Sequence, residues 1–248
     1  MNILILNGSP RKKNSTSASL SRKLKRLLVG HSVEICHICP DSEDTIFEKL
    51  KSVDSVVFVL PLYVDGMPSH VIDFLKRAET FCIENGCKFN TYAVSNNGFI
   101  EGRQNAVHLE QFRCWCANAG VEWAGGIGIG GGEMLRVISL IYPCLITFNT
   151  VAALYWLAKG AECNLQLFSQ VLQNLDVFAF FCAHFWWTLS VFAENIRKNR
   201  KARKNSYTRV FVPEVIFIVF ADIFMVISSL FNGRCIFTLL GKNADVKK

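Results

Sequence analysis

The N-terminus offers nothing that would direct the chain out of the cell. Only Ile3, Leu4, Ile5 and Leu6 run unbroken before Asn7, too short for the apolar core of a secretory signal, and no small-residue cleavage site follows. The expectation is a cytoplasmic start. The ten cysteines lack the spacing of a metal site: Cys36 and Cys39 form a CxxC, Cys114 and Cys116 a CxC, and Cys82 and Cys87 lie five apart, with no matching second pair. Buried thiols in a reducing compartment are the simpler reading, and neither a metal site nor a side-chain catalytic group is predicted. Residues 1–133 carry no net charge, with 14 Lys and Arg against 14 Asp and Glu, whereas residues 134–248 hold 13 against 6. The excess of cations therefore lies among long apolar runs, not on a phosphate-tracking face, and nucleic acid is excluded as partner. A membrane surface is the better acidic partner. Internal repeats and low-complexity linkers are also missing.

What is there begins with alternation. From the first residue to about position 130, apolar runs of strand length alternate with helical patterns, the signature of βαβ units. The predicted strands are Asn2 to Leu6, Ser32 to His37, Ser55 to Leu60, Phe89 to Ser95 and Val121 to Ile129, apolar on both faces as buried parallel strands are. Between them lie Ser17 to Leu28, Asp44 to Lys51, Ser69 to Cys82 and Gly102 to Ala119. The first of these repeats Leu20, Leu24, Leu27 and Leu28 on one face and turns Arg22, Lys23, Lys25 and Arg26 to water. The fold class is α/β: a doubly wound, five-stranded parallel sheet over residues 1–133 followed by an apolar, basic helical extension over 134–248. In such sheets ligands sit beyond the carboxyl ends of the strands.

The extension holds three apolar stretches. Val137 to Ala158 has no charge and meets the usual spanning length of about 20 residues. Val177 to Ala193 includes Trp186 and Trp187, and Val210 to Phe231 carries Glu214 and Asp222. These span a bilayer, lie in its interface, or pack as a hairpin on the first domain. The basic run Arg197 to Lys204 reads as a cytoplasmic loop on an anionic leaflet. Three spans would place Lys247 and Lys248 outside, against the positive-inside tendency, so two spans or none fit better.

The first strand runs into a hydroxyl-rich loop, Asn7 to Ser17, that opens into a helix. Backbone N–H groups at a helix start favour an anion. Ser9, Ser15, Thr16 and Ser17 add hydroxyls and Arg11 adds charge-assisted hydrogen bonds, so a phosphate fits, as does an ordinary capped turn. The Gly-Lys-[Ser/Thr] of a Walker A loop is missing, and Gly8 has no further glycines of a dinucleotide fingerprint behind it. The run Gly126 to Gly131 matches GxGxxG literally, but it follows the fifth predicted strand and reads as a close-approach segment at the end of that strand. His70 and His108 are lone histidines with no Ser, Cys or carboxylate at triad-like spacing.

Gly8-Ser9-Pro10-Arg11-Lys12 with its Ser/Thr run resembles the phosphate loop of the NADPH-dependent FMN reductase and flavodoxin-like oxidoreductase family. Pro61 to Pro68, followed by a helix with Phe74 to Arg77, is similar to the family's loop flanking the isoalloxazine, and Ser95 to Gly102 falls at its third flavin loop. The resemblance implies FMN as cofactor, held by Ser9, Arg11, Ser15, Thr16 and Ser17 at the phosphate. At the ring it implies Pro61, Leu62, Tyr63, Val64, Asp65, Gly66, Asn96, Asn97, Gly98 and Phe99, with Asp65 also readable as a plain turn residue before Gly66. It further implies NADPH or NADH as cosubstrate, hydride transfer to the flavin, and a small acceptor such as a quinone or free flavin. A flavodoxin-type electron carrier and a cofactor-less domain tethered to membrane are the alternatives. A homo-oligomer is compatible with all three.

Overall fold

A computed structural model describes residues 1–63, 66–159, 165–202 and 204–231. The elements run β1 (Asn2–Asn7), α1 (Thr16–Leu27), β2 (Ser32–His37), α2 (Glu43–Leu50), β3 (Ser55–Pro61), α3 (Ser69–Asn85), β4 (Asn90–Asn96), α4 (Ala106–Ala119), β5 (Glu122–Ile129), α5 (Gly132–Ala158), α6 (Leu165–Arg197), β6 (Ser206–Tyr207) and α7 (Glu214–Phe231). The sheet is parallel throughout, in the order β2-β1-β3-β4-β5-β6. Its first five positions follow the doubly wound flavodoxin-like order, which switches direction between β1 and β3.

Alternation along the strands builds two cores. Leu4, Leu6, Val56, Phe58, Leu60 and Ala93 point to the face covered by Ile46 and Leu50 of α2, Phe74 and Leu75 of α3, and Phe112 and Trp115 of α4. Ile3, Ile5, Val57, Val59, Tyr92 and Val94 point to the other, covered by Leu20 and Leu24 of α1 and by α6. The inner strands β1, β3, β4 and β5 thus lie between helical layers, which is why their sequences read as largely apolar on both sides, whereas the edge strand β2 is half-exposed along its length.

Two features depart from the sequence expectation. The sheet has six strands among the described residues, the sixth being only Ser206–Tyr207, too short and too polar to register as a strand from its sequence. The helices after residue 133 are also not simply an extension. The stripe Cys182, Phe185, Leu189, Phe192 and Ile196 of α6 is buried on the sheet at three- and four-residue spacing. Each of its large members contributes about 1.5–3 kcal/mol by leaving water. Position 133 marks where the polar α/β pattern ends, while the compact units are Met1–Val210 and Phe211–Lys248. In the second unit, α7 is an apolar helix that opens with Glu214 in its first turn.

The far part of the α5–α6 hairpin is exposed although apolar: Leu140, Phe148, Leu154, Trp156, Phe168 and Phe180 are all more than half accessible. The basic run from Arg197 lies at the opposite end of the sheet, where the Asn199 side chain bonds Asn90 and Ser55 and Lys201 pairs with Glu122. It therefore does not flank the exposed part of the hairpin, as its closeness in sequence had suggested.

Candidate functional site

In register, Asn7 stands opposite Val59, Pro61 opposite Asn96, and Asn96 opposite Ile129. The segments that leave β1, β3, β4 and β5 therefore start at one level and frame a single crevice at the carboxyl end of the sheet.

The loop after β1 is shaped by its own polar side chains. Buried Asn7 accepts the Ser9 N–H on Oδ1 at 3.1 Å, and buried Ser9 accepts the Arg11 N–H on Oγ at 3.3 Å. Asn14 takes a left-handed φ of 57°, which asparagine tolerates. Ser15, in extended conformation, then caps α1 by accepting the Ala18 N–H at 3.1 Å. Thr16 and Ser17 form the first turn, whose N–H groups have no intrahelical acceptor. Arg11, Lys12 and Lys13 are exposed on the loop.

One amide joins three of the segments. The buried Asn96 Nδ2 donates to Ser17 Oγ at 3.0 Å and to the Leu60 carbonyl at 2.8 Å, while the Asn96 carbonyl accepts the Leu62 N–H at 2.8 Å. Tyr63 and Gly66 exchange backbone hydrogen bonds of 3.0 and 2.9 Å and close a tight turn, with the Tyr63 ring half-exposed. Val64 and Asp65 lie outside the described residues. In the β4 segment, Asn97 accepts the Phe99 N–H and donates to the Glu101 carbonyl, and Gly98 and Phe99 are exposed. The structure thus brings Ser9, Ser15, Thr16, Ser17, Pro61, Leu62, Tyr63, Gly66, Asn96, Asn97, Gly98 and Phe99 to one end of the sheet.

It also adds residues that sequence reasoning missed. The start of α5 enters the crevice: the Gly132 N–H donates to the Asn97 carbonyl at 2.9 Å, and Thr16 Oγ1 donates to the Glu133 carboxylate, which also pairs with Arg136 at 2.8 Å. A carboxylate thus occupies the hydroxyl side of the α1 N-terminus. No local pattern announces a contact between residues so far apart in sequence. His37 and His70 hydrogen-bond to the backbone of Asn7 and Gly8, and burial lowers the pKa of each, keeping both neutral at neutral pH. Besides Arg136 and Arg209, which are paired with Glu133 and Glu101, the positive charge at this end comes from the exposed cations of the β1 loop.

His108 is not alone, as its sequence neighbourhood implied. Ser95 Oγ donates to Asn105 Oδ1 at 2.7 Å, because Asn105 Nδ2 is itself directed at the Gly102 and Ile129 carbonyls. The Ser95–His108 contact of 2.6 Å must therefore carry the proton on His108 Nδ1. Burial pushes this imidazole down to about 4. A serine that donates to an amide and accepts from its histidine is held as a structural hydroxyl, the reverse of a nucleophile–base pair.

No protein-family model matches the sequence, and no curated protein matches it significantly. Among solved structures, the chain is similar to the Trp repressor binding protein from Bacillus subtilis, at 18% identity and a TM-score of 0.43 over 51% of this chain and 86% of that one. It is also similar to an NAD(P)H:quinone oxidoreductase from Methanothermobacter marburgensis, at 16% and 0.44 over 53% and 87%. A third is general stress protein 14 from Treponema denticola in complex with FMN, at 13% and 0.42 over 51% and 84%. The fold assignment rests on strand order and register.

Proposed function

We propose that this chain is a flavin-binding oxidoreductase that uses FMN to pass electrons from NADPH or NADH to a small acceptor such as a quinone or free flavin, and that it associates with membrane through residues 134–248. The observation that carries the reading is the Asn96 amide, which locks the β1, β3 and β4 segments into one crevice. The residues present fit the cofactor. A helix start with unpaired N–H groups and three exposed cations suits a phosphate, and exposed Tyr63 and Phe99 offer apolar surface for a ring.

Bound FMN supplies the two-electron chemistry. The chain's contribution is to hold and orient. Ser9, Ser15 and Ser17, with the α1 N–H groups, fix the phosphate end; Arg11 adds charge-assisted bonds from the loop. Pro61, Leu62, Tyr63 and Gly66 place uncharged surface along one side of the ring, and Asn97, Gly98 and Phe99 border the other. No side chain is assigned a proton-transfer step, since positioning of the two partners accounts for the reaction.

Glu133 favours a second reading, a domain that no longer takes the cofactor, because its carboxylate stands where a phosphate would meet Thr16. One experiment separates the two. Purified protein reconstituted with FMN should be yellow and should bleach on anaerobic addition of NADPH. Colour that persists leaves a carrier or binding protein, and failure to retain FMN at high concentration establishes the second reading.

A further inference from the structure

We propose that α5 and α6 form a hairpin that crosses a lipid bilayer twice, rising from the crevice end of the sheet so that the crevice is held against the membrane surface. This deepens the membrane part of the reading above and is independent of whether flavin binds.

The geometry starts at the root. α5 begins at Gly132, whose N–H is bonded to Asn97 in the crevice, and Ser139 of α5 lies beside Cys182 of α6 and lines one small pocket with Leu135 and Phe185, which sets the alignment of the two antiparallel helices. From that level α6 runs down the sheet to Arg197, while the other parts of both helices project beyond the strands' carboxyl ends. The projecting part of α5 is exposed and carries no charge between Arg136 and Lys159.

Two aromatic belts bound the projection. At the tip stand Tyr155 and Trp156, both about half-exposed, with Lys159 Nζ 5.4 Å from the Tyr155 ring. At the root stand Trp187, 72% exposed, and Trp186, with Lys23 Nζ 5.5 Å from its ring. With a rise of about 1.5 Å per residue, counted up α5 from Ser139 and down α6 from Cys182, the belts lie roughly 30–33 Å apart. That is the thickness of a bilayer's hydrocarbon core, about 30 Å, and paired aromatic belts with flanking cations mark the interfaces of spanning segments. A helix lying in the interface would have no need of two belts at this separation.

Charge supports the same orientation. Arg11, Lys12 and Lys13 are exposed on the loop at the crevice end and face the root interface, as anionic headgroups favour. Asp176 is the only acid of α6 between Leu165 and Phe192 and falls near mid-depth; its cost is set against the apolar residues of both helices. Gly132 lies roughly three helical residues, about 5 Å, from the level of Trp186, so the crevice opens at the headgroups.

The test uses the full chain in sealed vesicles of phosphatidylcholine and phosphatidylglycerol with the α/β domain outside, digested with trypsin and read by fragment mass. The expected result is cutting at the exposed Arg197, Lys198, Arg200, Lys201 and Lys204 from outside, with the Lys159 cut appearing only when trypsin is trapped inside or the vesicles are opened by detergent. Lys159→Gln should abolish that late fragment. Equal cutting of both regions from outside would overturn the proposal in favour of a hairpin lying on the surface, and release of intact protein by carbonate would overturn it altogether. Because the readout is fragment mass, loss of flavin with unchanged protection sinks only the flavin reading.

Discussion

Lowering the pH should weaken the domain through its buried neutral histidines, and most through His108, the fully buried one. The imidazole is fully buried, donates from Nδ1 to Ser95, and has its Nε2 enclosed without a hydrogen-bond partner, so a second proton has nowhere favourable to go. Burial holds it at about 4, against an ordinary value of 6.5. The unfolded chain therefore takes up a proton near pH 6.5 that the folded chain refuses until about pH 4. Stability is full above the unfolded value and falls as pH drops through this window, by up to about 1.4 kcal/mol per pH unit and about 3 kcal/mol in all. His108→Asn keeps an N–H donor toward Ser95 and removes the titration. Urea unfolding of both proteins in detergent between pH 7 and pH 4.5 should show the wild type losing stability relative to the variant, and the ring signal of His108 should not titrate above pH 5. An imidazole signal moving near pH 6.5, or parallel stability curves, would refute the assignment of a buried neutral ring.

Four further outcomes follow from packing and charge. Gly102→Ala should cost about 1–3 kcal/mol in denaturant titrations, since a Cβ there would lie 2.2 Å from the Gly128 carbonyl oxygen and 2.6 Å from that of Thr208, both backbone atoms that cannot swing aside. Glu133→Gln should tighten FMN binding by about tenfold, roughly 1.4 kcal/mol, by removing a carboxylate from the start of α1, while Ser15→Ala should lower the melting temperature through loss of about 1 kcal/mol of capping. The first is checked by fluorescence titration with FMN and the second by thermal unfolding. A fragment ending at Glu133 should be insoluble, because it strips Phe185, Leu189, Phe192 and Ile196 from one face of the sheet; a soluble, folded fragment on gel filtration would contradict the packing described.

The five long strands were legible to within a residue or so because β1, β3, β4 and β5 are largely buried, and the half-exposed edge strand β2 alternates Val33, Ile35 and His37 with polar neighbours between loop residues. Ser32–His37 was read at its actual bounds, and the hydroxyl-rich loop was read as compatible with a capped turn, although α1 starts one position earlier than expected and Ser15 is its cap. The crevice segments were legible as loops following particular strands, but their joining through Asn96 was not, since an amide's partners depend on register between strands. α6 hid its core stripe for a different reason: Phe180, Trp186 and Trp187 surround Cys182, Phe185 and Leu189 with further apolar residues, so period and face were masked. β6 was invisible because two residues docking on an edge, with Asn205 bonding the Gly126 N–H, need no strand-like sequence of their own.

The chain leaves β5 at Ile129 and comes back to lie beside that same strand at Ser206. The long helical pair is therefore a loop-out within the last βαβ step, with both of its feet stitched into the globule. The anchor proposed above would, wired in this way, differ from a tail: one proteolytic nick anywhere along it leaves the other foot attached, and both legs must be severed to part the globule from the pair.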